Sequence, residues 1–82
     1  MHALSLDLTP LGKRFVVANV QGPAHAPEWA TWLQELGFIT GEQVTLMVRG
    51  VPGGDPLVVR VGASTFAIRR AEAACVLVED AP

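Results

Sequence analysis

Gln43-Val-Thr-Leu-Met-Val-Arg49, Gly50-Val-Pro-Gly-Gly-Asp-Pro56 and Leu57-Val-Val-Arg-Val61 follow one another through the middle of the chain. The outer two pieces alternate apolar with other residues, the period-two pattern of half-buried strands, and the piece between them is turn chemistry. Val44, Leu46 and Val48 share one face of the first strand, and Leu57, Val59 and Val61 one face of the second. Working outward, Gly62-Ala63-Ser64 leads to Thr65-Phe-Ala-Ile-Arg69, where Phe66 and Ile68 share a face. Arg14–Val20 on one side, and Cys75-Val-Leu-Val-Glu79 after a short Arg70-to-Ala74 stretch on the other, complete five such segments. Short strands at tight spacing, with Gly and Pro between them, predict a small all-β barrel or sandwich. Leu4, Leu6, Leu8 and Leu11 ahead of Gly12 either lead into that barrel or add an edge strand.

One segment breaks the rhythm. Pro27-Glu-Trp-Ala-Thr-Trp-Leu-Gln-Glu-Leu36 sets Trp29, Trp32, Leu33 and Leu36 on one helical face. Pro27 suits a first helical position, Glu28 the positive N-terminal end, and Gly37 a left-handed stop. Both tryptophans are candidates for packing the helix on the barrel, and at least one is expected there.

Half of the 82 residues are apolar, and mean hydropathy is +0.36. Disorder is excluded by that richness. Six basic against eight acidic residues, net −2, argue against nucleic acid as a partner. A single cysteine, Cys75, forms no internal disulfide. Without a leader pattern or a long apolar run, the expectation is one soluble, cytoplasmic domain that does not insert in a membrane. A domain this small buries only about 60% of its unfolded surface, so some apolar side chains stay in water, as at a partner site.

No catalytic set assembles, and no enzyme is expected. Ser5 and Ser64 lack a nucleophile-elbow turn, Gly50 to Asp55 lacks the Lys-Ser/Thr ending of a phosphate loop, and Cys75 sits in an apolar run where thiols are inert. Metal ligands are sparse. His25 and Glu28 form the nearest local pair, with His2 on the terminus, at most three ligands for a divalent transition ion such as Fe²⁺ or its surrogate Zn²⁺. So few ligands predict weak binding, or an ion shared between two chains that makes self-association metal-dependent.

The order of helix and breakers resembles the FeoA family. Val17-x-x-Val20-x-Gly22 and Trp32-Leu33-x-x-Leu36-Gly37-Phe38-x-x-Gly41-x-x-Val44 are similar to its front half. Gly54-Asp55-Pro56-Leu57-x-Val59-x-Val61 and Phe66-Ala67-Ile68-Arg69-x-x-Glu72-Ala73-x-x-Val76-x-Val78 are similar to its back half. The likeness runs from about Leu8 to Glu79. It implies a five-stranded SH3-like barrel with an inserted helix, and a cytoplasmic accessory that docks on the ferrous-iron transporter FeoB. The alternative is a metal-binding sensor or buffer. A proline-peptide module fits badly, because the chain has no tyrosine and both tryptophans lie on the helix.

Leu36, Gly37, Gly41, Gly54, Pro56, Arg69, Glu72 and Ala73 are expected to build the fold, with Arg69 and Glu72 pairing across a short turn. The docking surface is then expected on Trp29 and Trp32, on Phe38 and Ile39, and on Val51, Pro52 and Asp55.

Overall fold

Six antiparallel strands form one sheet: β1 (Leu4–Ser5), β2 (Arg14–Val20), β3 (Gln43–Arg49), β4 (Leu57–Val61), β5 (Ser64–Ile68) and β6 (Val76–Asp80). The structure, a computed structural model, describes residues 4–82. In space the strands run β1-β6-β2-β3-β4-β5, so the last strand is inserted between the first two. The N-terminal leucines do both things open to them. Leu4 and Ser5 pair with Val78 and Leu77 of β6, and a 3-10 turn at Leu6–Leu8 then drops Leu6 into the core. This sixth strand is too short to show a period in the sequence. Inward residues of β2 to β6 form one buried cluster with Leu6, so the sheet curls on itself as a barrel. Each fully buried Val or Leu in that cluster contributes roughly 1.5–3 kcal/mol.

Two bulges interrupt the alternation. In β2 the register shifts between Val17 and Asn19, so buried positions run Phe15, Val17 and then Val20. The Asn19 side chain accepts a 2.9 Å bond from the Val20 amide there. In β3, Leu46 faces Val59 but Val48 faces Val58, which leaves Met47 as the extra residue. Val48, expected on the core face, is instead 50% exposed. A bulge reverses every later side chain of its strand, and nothing in a period-two pattern announces it. The reversal turns Arg49 inward. Its guanidinium donates to the carbonyls of Asp7 and Thr9, both at 2.9 Å, and ties the 3-10 turn to β3.

The helix α1 (Glu28–Leu36) follows Pro27, which already has helical dihedrals. Leu33 is fully buried, while Trp29, Ala30 and Leu36 pack on the core from the same side. Gly37 ends the helix at φ 118°. Its amide donates to Gln34 at 3.0 Å, and the Phe38 amide reaches back to Leu33 at 3.1 Å. That pair of bonds is a Schellman stop, in which the residue after the glycine packs against the last helical turn. Phe38 is accordingly 0% exposed, which corrects its expected place on the docking surface. Gly41 then donates to Val17 at 2.8 Å and starts the return toward β3.

The second helix, α2 (Arg70–Ala73), is a single turn with Ala73 buried. Glu72 Oε1 accepts from the Arg69 amide at 2.7 Å. The expected Arg69–Glu72 pairing therefore runs through backbone and not through the guanidinium, because the carboxylate satisfies an otherwise free N–H at the helix start. Gly50 donates to Pro56 at 2.8 Å, and Gly54 to Gly50 at 2.9 Å. A Cβ on Gly50 would stand 2.5 Å from the Pro56 oxygen, so the loop closes only over a glycine.

Gly37 offers the direct check. A side chain there meets only Val61, at an ordinary 3.9 Å, so the cost of Gly37→Val lies in its left-handed backbone. The variant is expected to lose at least about 1 kcal/mol in urea unfolding. An unchanged midpoint would show that the helix does not end this way.

Candidate functional site

The residues expected to meet a partner separate into two groups. Trp32, at the middle of α1, is 40% exposed, and Ile39, just past its C-terminal end, is 53% exposed. Trp29 is half-buried against the core, so it supports the helix more than it presents a surface. Val51, 93% exposed, and Pro52 project from the loop between β3 and β4. Gly37 lies against Val61, at the far end of β4 from Leu57, where that loop joins. Five strand residues put these ends about 13 Å apart. The helix end and the loop thus form two surfaces instead of one.

Asp55 has a structural partner. Its Oδ1 accepts from the Arg70 amide at 3.0 Å, while the Arg70 side chain donates to the Gly53 carbonyl at 3.3 Å. A carboxylate on the first amide of a helix is favoured by charge and satisfies an orphan donor. The loop is pinned to α2 by these contacts, and Val51 and Pro52 are left as its free tip.

His25 and Glu28 are both exposed at the start of α1. The His25 ring sits edge-on to Trp29, with centroids 6.0 Å apart and planes at 73°. Among the described residues, no three His, Cys, Asp or Glu side chains come together to hold an ion. His2 lies outside the described residues. Cys75 is buried, and its Sγ donates to the Ala71 carbonyl at 3.5 Å. Burial pushes its thiol above the usual range, with the carboxylates of Glu72 and Asp7 adding to the effect. Asp7 Oδ1 is itself buried, with no hydrogen-bond partner among the described residues.

Exposed apolar side chains missed by the sequence reading lie on the barrel itself. Met47 and Val48 are 44% and 50% exposed because of the β3 bulge, and Leu8 and Leu11 are 66% and 54% exposed beside the 3-10 turn. Their only sequence signal was the surplus of apolar residues over what so small a domain can bury. No helix of the described chain is long and apolar enough to cross a membrane.

A curled antiparallel sheet, with one helix spliced between its second and third strands and with apolar residues left on the outside, defines a small barrel module of the SH3-like class. The model of the FeoA domain matches residues 4–80. The chain belongs to the FeoA family. Among solved structures it is similar to the FeoA of Stenotrophomonas maltophilia in complex with zinc, 39% identical over 96% of this chain and 91% of that one, with a TM-score of 0.81. That protein is described as an SH3 domain protein and put forward as an activating factor of bacterial ferrous iron transport. FeoA of Chlorobium tepidum is 26% identical over 94% of this chain and 70% of that one, with a TM-score of 0.75. A manganese-dependent transcriptional repressor, 14% identical, matches 99% of this chain with 38% of its own and a TM-score of 0.80; it shares the fold alone. Among curated proteins none matches the chain.

Cys75 gives this geometry a readout. A raised thiol stays protonated and unreactive near neutrality, so an aromatic disulfide reagent should label the folded protein at least about tenfold more slowly than the unfolded chain. Because the folded value lies above the unfolded one, the thiol's contribution is complete below the ordinary thiol range and is lost as pH rises through the folded value. The urea midpoint of the wild type should therefore fall more steeply with alkaline pH than that of Cys75→Ala. Equal labelling of folded and unfolded protein would refute the burial.

Proposed function

We propose that the protein is a cytoplasmic, non-enzymatic accessory of a ferrous-iron uptake system that docks on the cytoplasmic portion of a FeoB-type transporter and supports its activity. One observation carries this reading: 39% identity across nearly the full length of a FeoA put forward as a ferrous-transport activating factor. The exposed apolar residues support it as well, since Trp32, Ile39 and Val51 are large apolar side chains left partly or largely in water. Trp32 and Ile39, on and just after α1, and Val51 and Pro52 at the loop tip, are the two candidate contact points. Because they sit at opposite ends of β4, Trp32→Ala/Ile39→Ser and Val51→Ser/Pro52→Ser report on separate surfaces.

Deletion of the gene should lower Fe²⁺ uptake and leave ferric uptake unchanged, and the purified protein should retain FeoB's cytoplasmic portion in a pull-down. Unchanged ferrous uptake together with an empty pull-down would remove the transporter from the account.

A second reading is favoured by the zinc complex of the Stenotrophomonas maltophilia protein. In this chain a divalent ion would meet His25 and Glu28, with His2 as a third ligand, and would need water or a second chain to complete its shell. Sedimentation should then show a Zn²⁺-dependent gain in mass for the wild type that His25→Ala loses. Identical behaviour of the two proteins would discard His25 as a ligand.

A further inference from the structure

The strand register builds a row across the outside of the barrel that the sequence does not display. Arg14 on β2 stands opposite Thr45 on β3, Thr45 opposite Arg60 on β4, and Arg60 opposite Thr65 on β5. Their neighbours along the strands, Phe15, Val44, Leu46, Val59 and Val61, are buried, so the row points outward. Arg14, Arg60 and Thr65 are exposed and Thr45 is half-buried. Directly beside this row the β3 bulge places Met47 and Val48 opposite Val58, which in turn faces Ala67. The face is therefore two-sided, one side cationic with hydroxyls and the other apolar.

The two guanidinium groups of the row are unmatched. Among the described residues the one ion pair is Lys13 with Asp80, at 3.0 Å. Arg49 and Arg70 donate to backbone carbonyls, whereas the Arg14 and Arg60 side chains have no hydrogen-bond partner among the described residues. In a chain of net charge −2, two unpaired cations aligned beside exposed Met47 and Val48 are a local reversal of the overall charge.

We propose that this face docks an acidic amphipathic helix of a protein partner, laid across strands β2 to β5. Arg14 and Arg60 lie two strands apart, about 10 Å at the backbone. Carboxylates seven residues apart on a helix are separated by about 10.5 Å along its axis, so one helix can meet both arginines. Four strands span about 14 Å, the length of roughly ten helical residues. Apolar residues three and four places after the first carboxylate share its face and meet Met47, Val48 and Val58. Guanidinium groups accept such carboxylates in bidentate fashion, and the Thr45 and Thr65 hydroxyls supply further donors. A nucleic-acid backbone or an anionic membrane asks for a longer run of cations than two. The partner's identity rests on the transporter reading, whereas the surface does not.

The test uses the isotope-labelled full chain and a synthetic two-heptad helical peptide with Glu at the two matching positions and Leu at the apolar ones. Amide shifts are expected at Arg14, Thr45, Val48, Arg60 and Thr65, with affinity that falls as salt is raised. Arg14→Glu/Arg60→Glu should weaken binding at least about tenfold, as should replacing the peptide's Glu by Gln. Arg14→Gln/Arg60→Gln, checked for wild-type melting, is measured beside it in case reversed charge disturbs the sheet. The proposal is overturned by absent shifts, by shifts centred on Trp32 and Ile39, or by unchanged affinity in both variants. Shifts on this face with phosphatidylglycerol vesicles but not with the peptide would reassign it to lipid. If FeoB's cytoplasmic portion binds wild type and double variant alike, this face is not its dock and the transporter reading stands. If the peptide binds here and FeoB does not, the face stands and the transporter reading falls.

Discussion

Met47 is the extra residue of β3, and the direction of every side chain after it depends on that insertion. Without it Val48 would enter the core and Arg49 would point to solvent. With it, Val48 joins Met47 on the outside, and Arg49 comes under the barrel to hold the carbonyls of Asp7 and Thr9. Charge-assisted bonds of this kind contribute more than neutral ones, roughly 1.5–3 kcal/mol each. They anchor the 3-10 turn that carries Leu6 into the core and sets β1 beside β6. A single irregularity thus links closure at the N-terminal end of the barrel to the apolar half of its outer face.

The helix and the long loop are held by backbone chemistry in a comparable way. At the end of α1, the left-handed Gly37 lets the Phe38 amide return to Leu33, and Phe38 follows into the core. At the other end of β4, Asp55 and Gly53 both accept from Arg70, which ties the loop to α2. Both devices leave only a few side chains free. Ile39 remains outside just past the end of α1, and Val51 and Pro52 at the loop tip.

The residues that carry the family likeness, Gly37, Gly41, Gly54, Asp55, Pro56, Glu72 and Ala73, make turns, caps and core contacts. Exposed side chains outside that set include Arg14 and Arg60 on the outer face, Ile39 just past α1, and Val51 and Pro52 at the loop tip.

Local pattern in the sequence was enough for β2, β3 and β4, for the course of α1 and for its glycine stop. Each rests on a short-range signal: alternation, a three-and-four spacing, or a residue type that one backbone conformation requires. An all-β barrel or sandwich with one inserted helix followed from the same signals, and the resemblance to the FeoA family narrowed it to an SH3-like barrel. What lay beyond them was set by contacts between segments distant in the chain. The β3 bulge, the burial of Phe38, the bond from the Arg70 amide to Asp55 and the alignment of Arg14 with Arg60 all depend on which strand lies beside which, and in what register. Arg14 and Arg60 are 46 positions apart in sequence and two strands apart in space. Hydrophobic periodicity reports only whether a residue faces in or out, so the sequence determined the strands and the helix, and tertiary pairing alone decided what stands beside what on the surface.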